Sequence, residues 1–339
     1  MNSVTVIIPT YNEARNIRKV VEDLLCENGL LKQVEILVID GGSKDGTRDI
    51  VRKLEYEYQN IVRLIENPRR IQAAALNIGI NQAKGEIIVR CDAHARYEQG
   101  YIRACLDAFE ESRADVVGGA QIAIGETYFQ KVISTAYNSF LGSGGSKYRK
   151  QDYSGLVDTV WLGAYRKEIF SDGLRFNEKV SVDEDYELFY LLRLKEKKIY
   201  LSSSIRAYYL PRETLWALMQ QFFIHGKSVS LTVRYMLKRI IGRPLIMLSA
   251  IIILLIIGVA ACFSYTSLCV LGAGVLMYFF VLFLQTLFCI GKKPLRQLFL
   301  VPIVLATMHL SYSIGLFLGC IRELFLWALS LANIRKWLL

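Results

Sequence analysis

Apolar residues in the first two-thirds of the chain alternate between short unbroken runs and longer stretches where they recur every three or four positions. Residues 4–8 (V-T-V-I-I) form a β-rich run ended by Pro9. Over residues 13–25, Ile17, Val20, Val21, Leu24 and Leu25 share one helical face. Residues 34–39 are a second apolar run, of the kind buried on both faces of a sheet. Residues 45–54 read as a helix that Ser43 or Asp45 could cap. A strand at 61–65, a helix through 71–83 and a strand at 86–90 continue the alternation, and 115–118 begins another strand. The order β-α-β-α-β-α-β predicts an α/β fold, a Rossmann-like doubly wound sheet with a largely parallel core. Ligands bind such sheets beyond the carboxyl ends of the strands. Residues 139–145 (S-F-L-G-S-G-G) read as a mobile loop or a plain surface connection.

The pattern changes beyond residue 243. Of 41 Lys and Arg only six lie there, and of 31 Asp and Glu only Glu323. Residues 244–291 carry no charged side chain, more than twice the roughly 20 residues one bilayer crossing needs. Two transmembrane helices with a turn at 264–267 account for this run, and residues 297–321 are long enough for a third or for a re-entrant segment. Lys227, Arg234, Lys238, Arg239 and Arg243 precede the first span, and Lys292, Lys293 and Arg296 follow the second. Both flanks are therefore expected on the cytoplasmic face of the cell membrane. The expected organisation is a catalytic domain at 1–228, a basic interfacial segment at 229–243, membrane helices at 244–321 and a tail at 322–339.

The net charge of +10 needs no nucleic-acid partner, because much of it sits where it would meet anionic membrane lipids. Seven cysteines without a C-x-x-C spacing argue against a disulfide framework or a zinc site and suit a reducing compartment. The first residues lack the basic start and long apolar core of a signal peptide.

Three polar clusters fall at three predicted strand ends: residues 9–13, 40–43 and 92–94. Asp40, before Gly41 and Gly42, can accept hydrogen bonds from a ribose or base, or simply cap the next helix with Ser43. Asp92 and His94, in C-D-A-H-A, face the same way if extended and can address one ion, or stand in a solvated loop. Asp183, Glu184 and Asp185 open a helix, where acids suit the dipole, and one of them could be a general base. Further on, residues 220–227 (Q-Q-F-F-I-H-G-K) could serve a site or lie on a membrane surface.

The ordered set V-T-V-I-I-P-T-Y-N-E, V-I-D-G-G-S-K-D-G-T, A-L-N-I-G-I-N-Q-A-K-G-E-I-I-V-R-C-D-A-H-A-R-Y and D-E-D-Y-E-L resembles family 2 glycosyltransferases over residues 3–228. These are inverting enzymes with the GT-A fold. D-G-G-S and D-A-H-A-R-Y are most similar to the succinoglycan-type membrane glucosyltransferases of the ExoA kind. The resemblance implies that Pro9, Tyr11 and Glu13 border the nucleotide and that Asp40 and Ser43 hold its uracil or ribose. Arg70 and Asn77 would lie near the base and diphosphate. Asp92 would sit beside the ribose and a divalent cation, Mn2+ or Mg2+, with His94 in the place of the usual second metal-binding Asp. Asp185, with Glu184 beside it, matches the catalytic base. Gln221 to Lys227 resembles a Q-x-x-R-W element in which Lys227 would replace the arginine. The implied reaction moves a sugar, glucose first, from a UDP-sugar to a lipid-linked saccharide acceptor in exopolysaccharide or capsule synthesis, beside polysaccharide-assembly partners. A polyisoprenyl-phosphate glycosyltransferase is the alternative within this fold, and an inactive scaffold with an anchoring or regulatory role is the alternative outside catalysis.

Overall fold

A computed structural model of the chain describes residues 3–25, 34–179, 184–235, 242–291, 294 and 296–337. Asp183, Lys238, Arg239, Lys292 and Lys293, named above, lie outside the described residues. The chain divides into two compact units, one of residues 1–123 and 146–210 and one of residues 124–145 and 211–339.

The first unit is built on a nine-stranded sheet. Strands β1 (Val4–Thr10), β2 (Val34–Asp40), β3 (Val62–Glu66) and β4 (Ile87–Arg90) are mutually parallel, in the order β3-β2-β1-β4. Alternate side chains go to opposite faces, and both faces are covered. Val4, Val6, Ile8, Ile36, Val38, Ile87 and Val89 pack under α1 (Ile17–Leu25), α2 (Thr47–Glu57) and α4 (Tyr101–Ser112). Ile7, Leu37, Ile39 and Ile88 meet Ala73, Leu76 and Ile80 of α3 (Gln72–Gln82) on the other face. Burial on both sides is why these strands read as unbroken apolar runs. The register aligns Thr10 with Asp40 and Asp40 with Glu66, so three loops leave the sheet at one level.

Beyond β4 the sheet is mixed. The strand that follows β4 in space is β8 (Trp161–Arg166), antiparallel to it, and β6 (Val116–Ala123) comes only after β8. β9 (Ile199–Tyr209) runs parallel to β6, and β5 (Ala95–Tyr97) and β7 (Gly155–Leu156) pair antiparallel with β9. The largely parallel core therefore stops after four strands. The helix α7 (Glu184–Leu194) packs Leu188, Phe189 and Leu192 into the α3 side of the core.

The second unit takes α5 (Tyr128–Asn138), α6 (Phe140–Ser143), α8 (Leu215–Tyr235), α9 (Arg243–Ala261), α10 (Tyr265–Ile290) and α11 (Gln297–Trp337). Its limits differ from an expected boundary at 228. Residues 124–145 belong with the C-terminal helices because α5 turns Val132, Ile133 and Ala136 inward, and Tyr137 meets Phe222 of α8 edge-on. The predicted loop at 139–145 is likewise a short helix, tied down by Arg243 donating to the Ser143 carbonyl at 2.7 Å. Three helices, α9, α10 and α11, are long and apolar enough to cross a membrane. The first two leave almost all of that surface bare, whereas half of the α11 window is covered. Much of the cover is α8, whose backbone comes so near that a Cβ on Gly315 would lie 2.1 Å from the Phe223 carbonyl oxygen. α11 runs unbroken through Pro302, so the third apolar stretch shows no re-entrant turn.

Candidate active site

The loop after β1 is stitched to the loop after β2. Asn12 N donates to Ser43 Oγ at 2.8 Å, Lys44 N to Asn12 Oδ1 at 2.9 Å, and Glu13 N to Thr47 Oγ1 at 2.8 Å. Asn12 accepts a left-handed backbone, φ 55°, to make this turn. Asp40 is buried, and its Oδ2 accepts from Gly42 N at 2.9 Å and Ser43 N at 3.0 Å while Oδ1 takes Ser43 Oγ at 2.5 Å. Asp40 thus shapes its own turn. Helix α2 is capped by neither expected side chain: the N-cap is Gly46, and Asp45 instead accepts from Thr47 N at 3.1 Å.

Arg70 adopts φ 59° and lays its guanidinium beside Gly42. Gly42 itself needs φ 83°, a conformation that favours glycine. Tyr11 stands exposed beside Gly41. Pro9 is inside β1, opposite Ile39. These residues make a polar shelf at the carboxyl edge of β1 and β2, bearing the Arg70 guanidinium, with Arg48 Nε 3.8 Å from Asp40 Oδ2. A depression of about 640 Å3 at Glu86 and Arg166, lined by none of the candidate site residues, is not this shelf.

The second cluster forms where β4 ends. Arg90 is buried, and its guanidinium reaches three carboxyl groups. Nε lies 3.3 Å from Asp92 Oδ1, and Nη1 lies 3.1 Å from Glu184 Oε1 and 3.8 Å from Asp185 Oδ2. The loop carrying Asp92 is pinned by Tyr97, whose hydroxyl accepts from Asp92 N at 2.7 Å and donates to the Asp92 carbonyl at 3.1 Å. Gln72, at the start of α3, donates to Asp92 Oδ1 at 3.4 Å. Burial pushes the Glu184 carboxyl up to about 7, against the pull of Arg90, and the charge of Asp185 adds to the rise. The two acids at the start of α7 therefore differ. Glu184 faces inward, with 5% of its side chain exposed, while Asp185 is 30% exposed.

His94 turns toward the first cluster. Its Nδ1 lies 3.3 Å from Glu13 Oε1, and Asn16 Nδ2 donates to Glu13 Oε2 at 3.0 Å. Burial raises the Glu13 carboxyl, but the contacts from His94 and Asn16 outweigh it and hold the group below its ordinary value. Asn77, expected near the base and diphosphate, engages the 176–178 loop with its side chain. Its amide donates to the Phe176 carbonyl at 2.9 Å and to Glu178 Oε1 at 3.0 Å and accepts from Phe176 N at 2.9 Å. That pattern makes it a brace for the 176–178 loop. Gln221 and Lys227 stand on α8, in the second unit.

Among the described residues no group of three His, Cys, Asp or Glu side chains is close enough to hold a metal alone. The donor set still fits a divalent cation bound together with phosphates. The contacts of Asp92 fall on Oδ1, and cations of this class are commonly held by one or two protein ligands with substrate oxygens completing the shell.

Arg90, Tyr97 and Gln72 were not legible as site residues. Only the placement of a charge inside an apolar strand could have drawn attention to Arg90.

The family model for glycosyl transferase family 2 matches residues 5–174. The succinoglycan biosynthesis protein ExoA of Rhizobium meliloti is 33% identical over 67% of this chain and 68% of its own length. A Methanococcus voltae protein, dolichyl N-acetyl-alpha-D-glucosaminyl phosphate 3-beta-D-2,3-diacetamido-2,3-dideoxy-beta-D-glucuronosyltransferase, is 27% identical over 95% of this chain and 98% of its own. Among solved structures, a mannosyltransferase from Pyrobaculum calidifontis in complex with GDP-mannose and Mn2+ superposes with a TM-score of 0.61. It has 17% identity and covers 92% of this chain and 87% of that one, a likeness of fold.

Proposed function

The chain belongs to glycosyl transferase family 2, and from that premise we propose that it transfers a sugar, glucose first, from a UDP-sugar to a lipid-linked saccharide by a single inverting displacement. It is a glycosyltransferase with a mixed α/β sheet of GT-A type and membrane-length helices. The donor, the acceptor and the residue roles are the proposal.

The observation that carries it is the convergence of Asp92, Glu184 and Asp185 on one guanidinium beside the Asp40 shelf. It supports a reading in which Asp92 serves the donor side and Asp185, the more exposed of the two α7 acids, takes the proton. In the proposed reaction the acceptor hydroxyl oxygen attacks the anomeric carbon as the bond to the diphosphate breaks. Asp185 accepts the hydroxyl proton, and UDP departs. An α-linked donor thus gives a β-linked product. Asp40 and Ser43 shape the turn that receives the uridine, and Arg70 offers a cation to the diphosphate. A divalent cation bound by Asp92 and His94 would neutralise the charge that builds on the leaving diphosphate. Tyr11 and Glu13 border the same shelf, Glu13 by orienting His94.

The lipid-linked acceptor draws support from the Methanococcus voltae relative, whose name states a dolichyl-phosphate-linked sugar acceptor and whose match runs nearly end to end. The helices would then hold the catalytic unit at the surface that carries such an acceptor. The test is a donor and acceptor screen on detergent-solubilised enzyme. UDP-glucose with a polyprenyl-diphosphate-linked saccharide should give an extended, β-linked product, and polyprenyl phosphate alone should give none. Product from polyprenyl phosphate alone would replace the acceptor assignment with the polyisoprenyl-phosphate alternative. Asp185→Asn should lower turnover by roughly 10²-fold or more while leaving UDP affinity in place.

A further inference from the structure

Among the described residues Arg90 is the one buried basic side chain, set at the end of a parallel strand, and packing does not call for it. Its strand companions Ile87, Ile88 and Val89 are all apolar and fully buried. Taking a guanidinium out of water costs several kcal/mol unless its partners are well placed. An apolar residue would close the strand end without that cost.

The partners lie on separate parts of the molecule. Nε addresses Asp92, in the loop that leaves β4. Nη1 addresses Glu184 and Asp185, in the first turn of α7, more than ninety residues later. Tyr165, on the neighbouring β8, closes the cluster from the other side among Phe170, Phe176 and Phe189. The groups facing the guanidinium are therefore Asp92, Glu184, Asp185 and Tyr165. Its two arms separate the donor side of the site from the acceptor side.

We propose that Arg90 is a positioning residue for sugar transfer, a planar strut that sets the distance between Asp92 on the donor side and Asp185 on the acceptor side. The proposal rests on the reading of Asp185 as the base. Glu184 is the buried anchor of the strut: it takes the shortest of the three contacts and keeps Nη1 turned toward the start of α7. Asp185 sits at the end of the same arm, close enough to feel the positive charge and exposed enough to meet a hydroxyl. The strut needs two nitrogens in a fixed plane. Lysine carries the charge but only one nitrogen, so it cannot serve both arms.

Two variants separate this role from a merely structural one. Arg90→Lys keeps the charge and loses the fork, and Arg90→Met loses both. With UDP-glucose as donor, Arg90→Lys should bind UDP and show a KM close to wild type while kcat falls roughly a hundredfold, the cost of misplacing a reacting group by about an ångström. Its acid limb in the kcat–pH profile should stay in place. In Arg90→Met the limb should move up by about one to three pH units, because Asp185 has lost the neighbouring cation. If Arg90→Lys turns over within about threefold of wild type, the strut is not needed and the inference fails. It fails equally if both variants lose stability and UDP binding in step while the pH limb stays still. Should Arg90→Met not fold, the KM and kcat of Arg90→Lys decide alone. Asp185→Asn keeps the two claims apart. An active Asp185→Asn overturns the assignment of the base, whereas an inactive one beside a normal Arg90→Lys overturns only the strut.

Discussion

A histidine two residues after Asp92 changes what this corner of the site can hold. A pair of carboxylates would suit any hard cation, whereas an imidazole favours softer divalent ions. His94 is also held by Glu13 through Nδ1, an arrangement that orients a metal-binding ring and fixes its tautomer. His94→Ala is expected to raise the Mn2+ concentration for half-maximal binding, in the presence of UDP, by at least about tenfold. His94→Asp should shift the preference from Mn2+ toward Mg2+. Mn2+ electron paramagnetic resonance titrations read both without needing turnover. A second residue-scale consequence follows from Glu184. Its folded pKa is raised, so the folded state holds a proton that the unfolded chain has already released above the ordinary carboxylate range. Folding stability from this group is therefore greatest at low pH and declines as pH rises toward about 7, then levels off. Glu184→Gln should flatten that decline. Thermal unfolding of the solubilised protein from pH 5 to 8 compares the slopes.

Elements, rather than single residues, decide which expectations hold. Asn77 turns its amide into the 176–178 loop, so its effect should be on α3 and that loop. Asn77→Ala leaves the Phe176 amide and carbonyl unpaired and should cost about 1–3 kcal/mol of stability, with UDP affinity unchanged by calorimetry. A large loss of affinity at unchanged stability would restore a role in nucleotide binding. In the second unit, α8 and α11 approach through Gly226 and Gly315, where an added Cβ would press within about 2.1 Å of a carbonyl on the facing helix. Gly315→Leu should push the helices apart and lower the yield of folded protein, read as loss of the monodisperse peak in detergent.

The same elements show what a linear reading can reach. Strands β1, β2 and β4 were legible because burial on both faces leaves few polar positions, and α1 because only one of its faces is buried. β8 was not: W-L-G-A-Y-R looks like any short apolar stretch, and its insertion between β4 and β6 depends on pairings far along the chain. The helices of 124–145 were hidden for the same reason, since their partners lie some hundred residues on. Asp40, Asp92 and Asp185 were visible as acids at strand and helix ends. Arg90 was not, because a charge closing a strand looks like an exit to solvent until α7 is folded over it.

At the scale of the whole molecule the question is which side of a membrane each part occupies. α9 and α10 are joined at residues 262–264, and each has an 18-residue window that is only 6% buried, as expected of surfaces that meet lipid. Arg243 opens α9 and Arg296 precedes α11, so the charged ends of the hairpin share one face and the tip containing Cys262 lies on the other. The proposed nucleotide-sugar donor predicts a catalytic unit on the cytoplasmic side. α11 is harder to place because, at 41 residues, it is about 60 Å long, twice the hydrocarbon thickness. Half of its apolar window is covered within the unit, and only its uncharged part, residues 297–321, is suited to crossing. A single-cysteine variant retaining Cys262, which is exposed, should react with a membrane-impermeant maleimide in intact cells. The cysteine of Lys53→Cys, on the exposed side of α2, should react only after permeabilisation. The opposite pattern would invert the orientation and remove the cytoplasmic donor from the scheme. A C-terminal reporter then decides α11. If it crosses, the reporter lies with Cys262; if it stays at the surface beside α8, the reporter lies with Lys53.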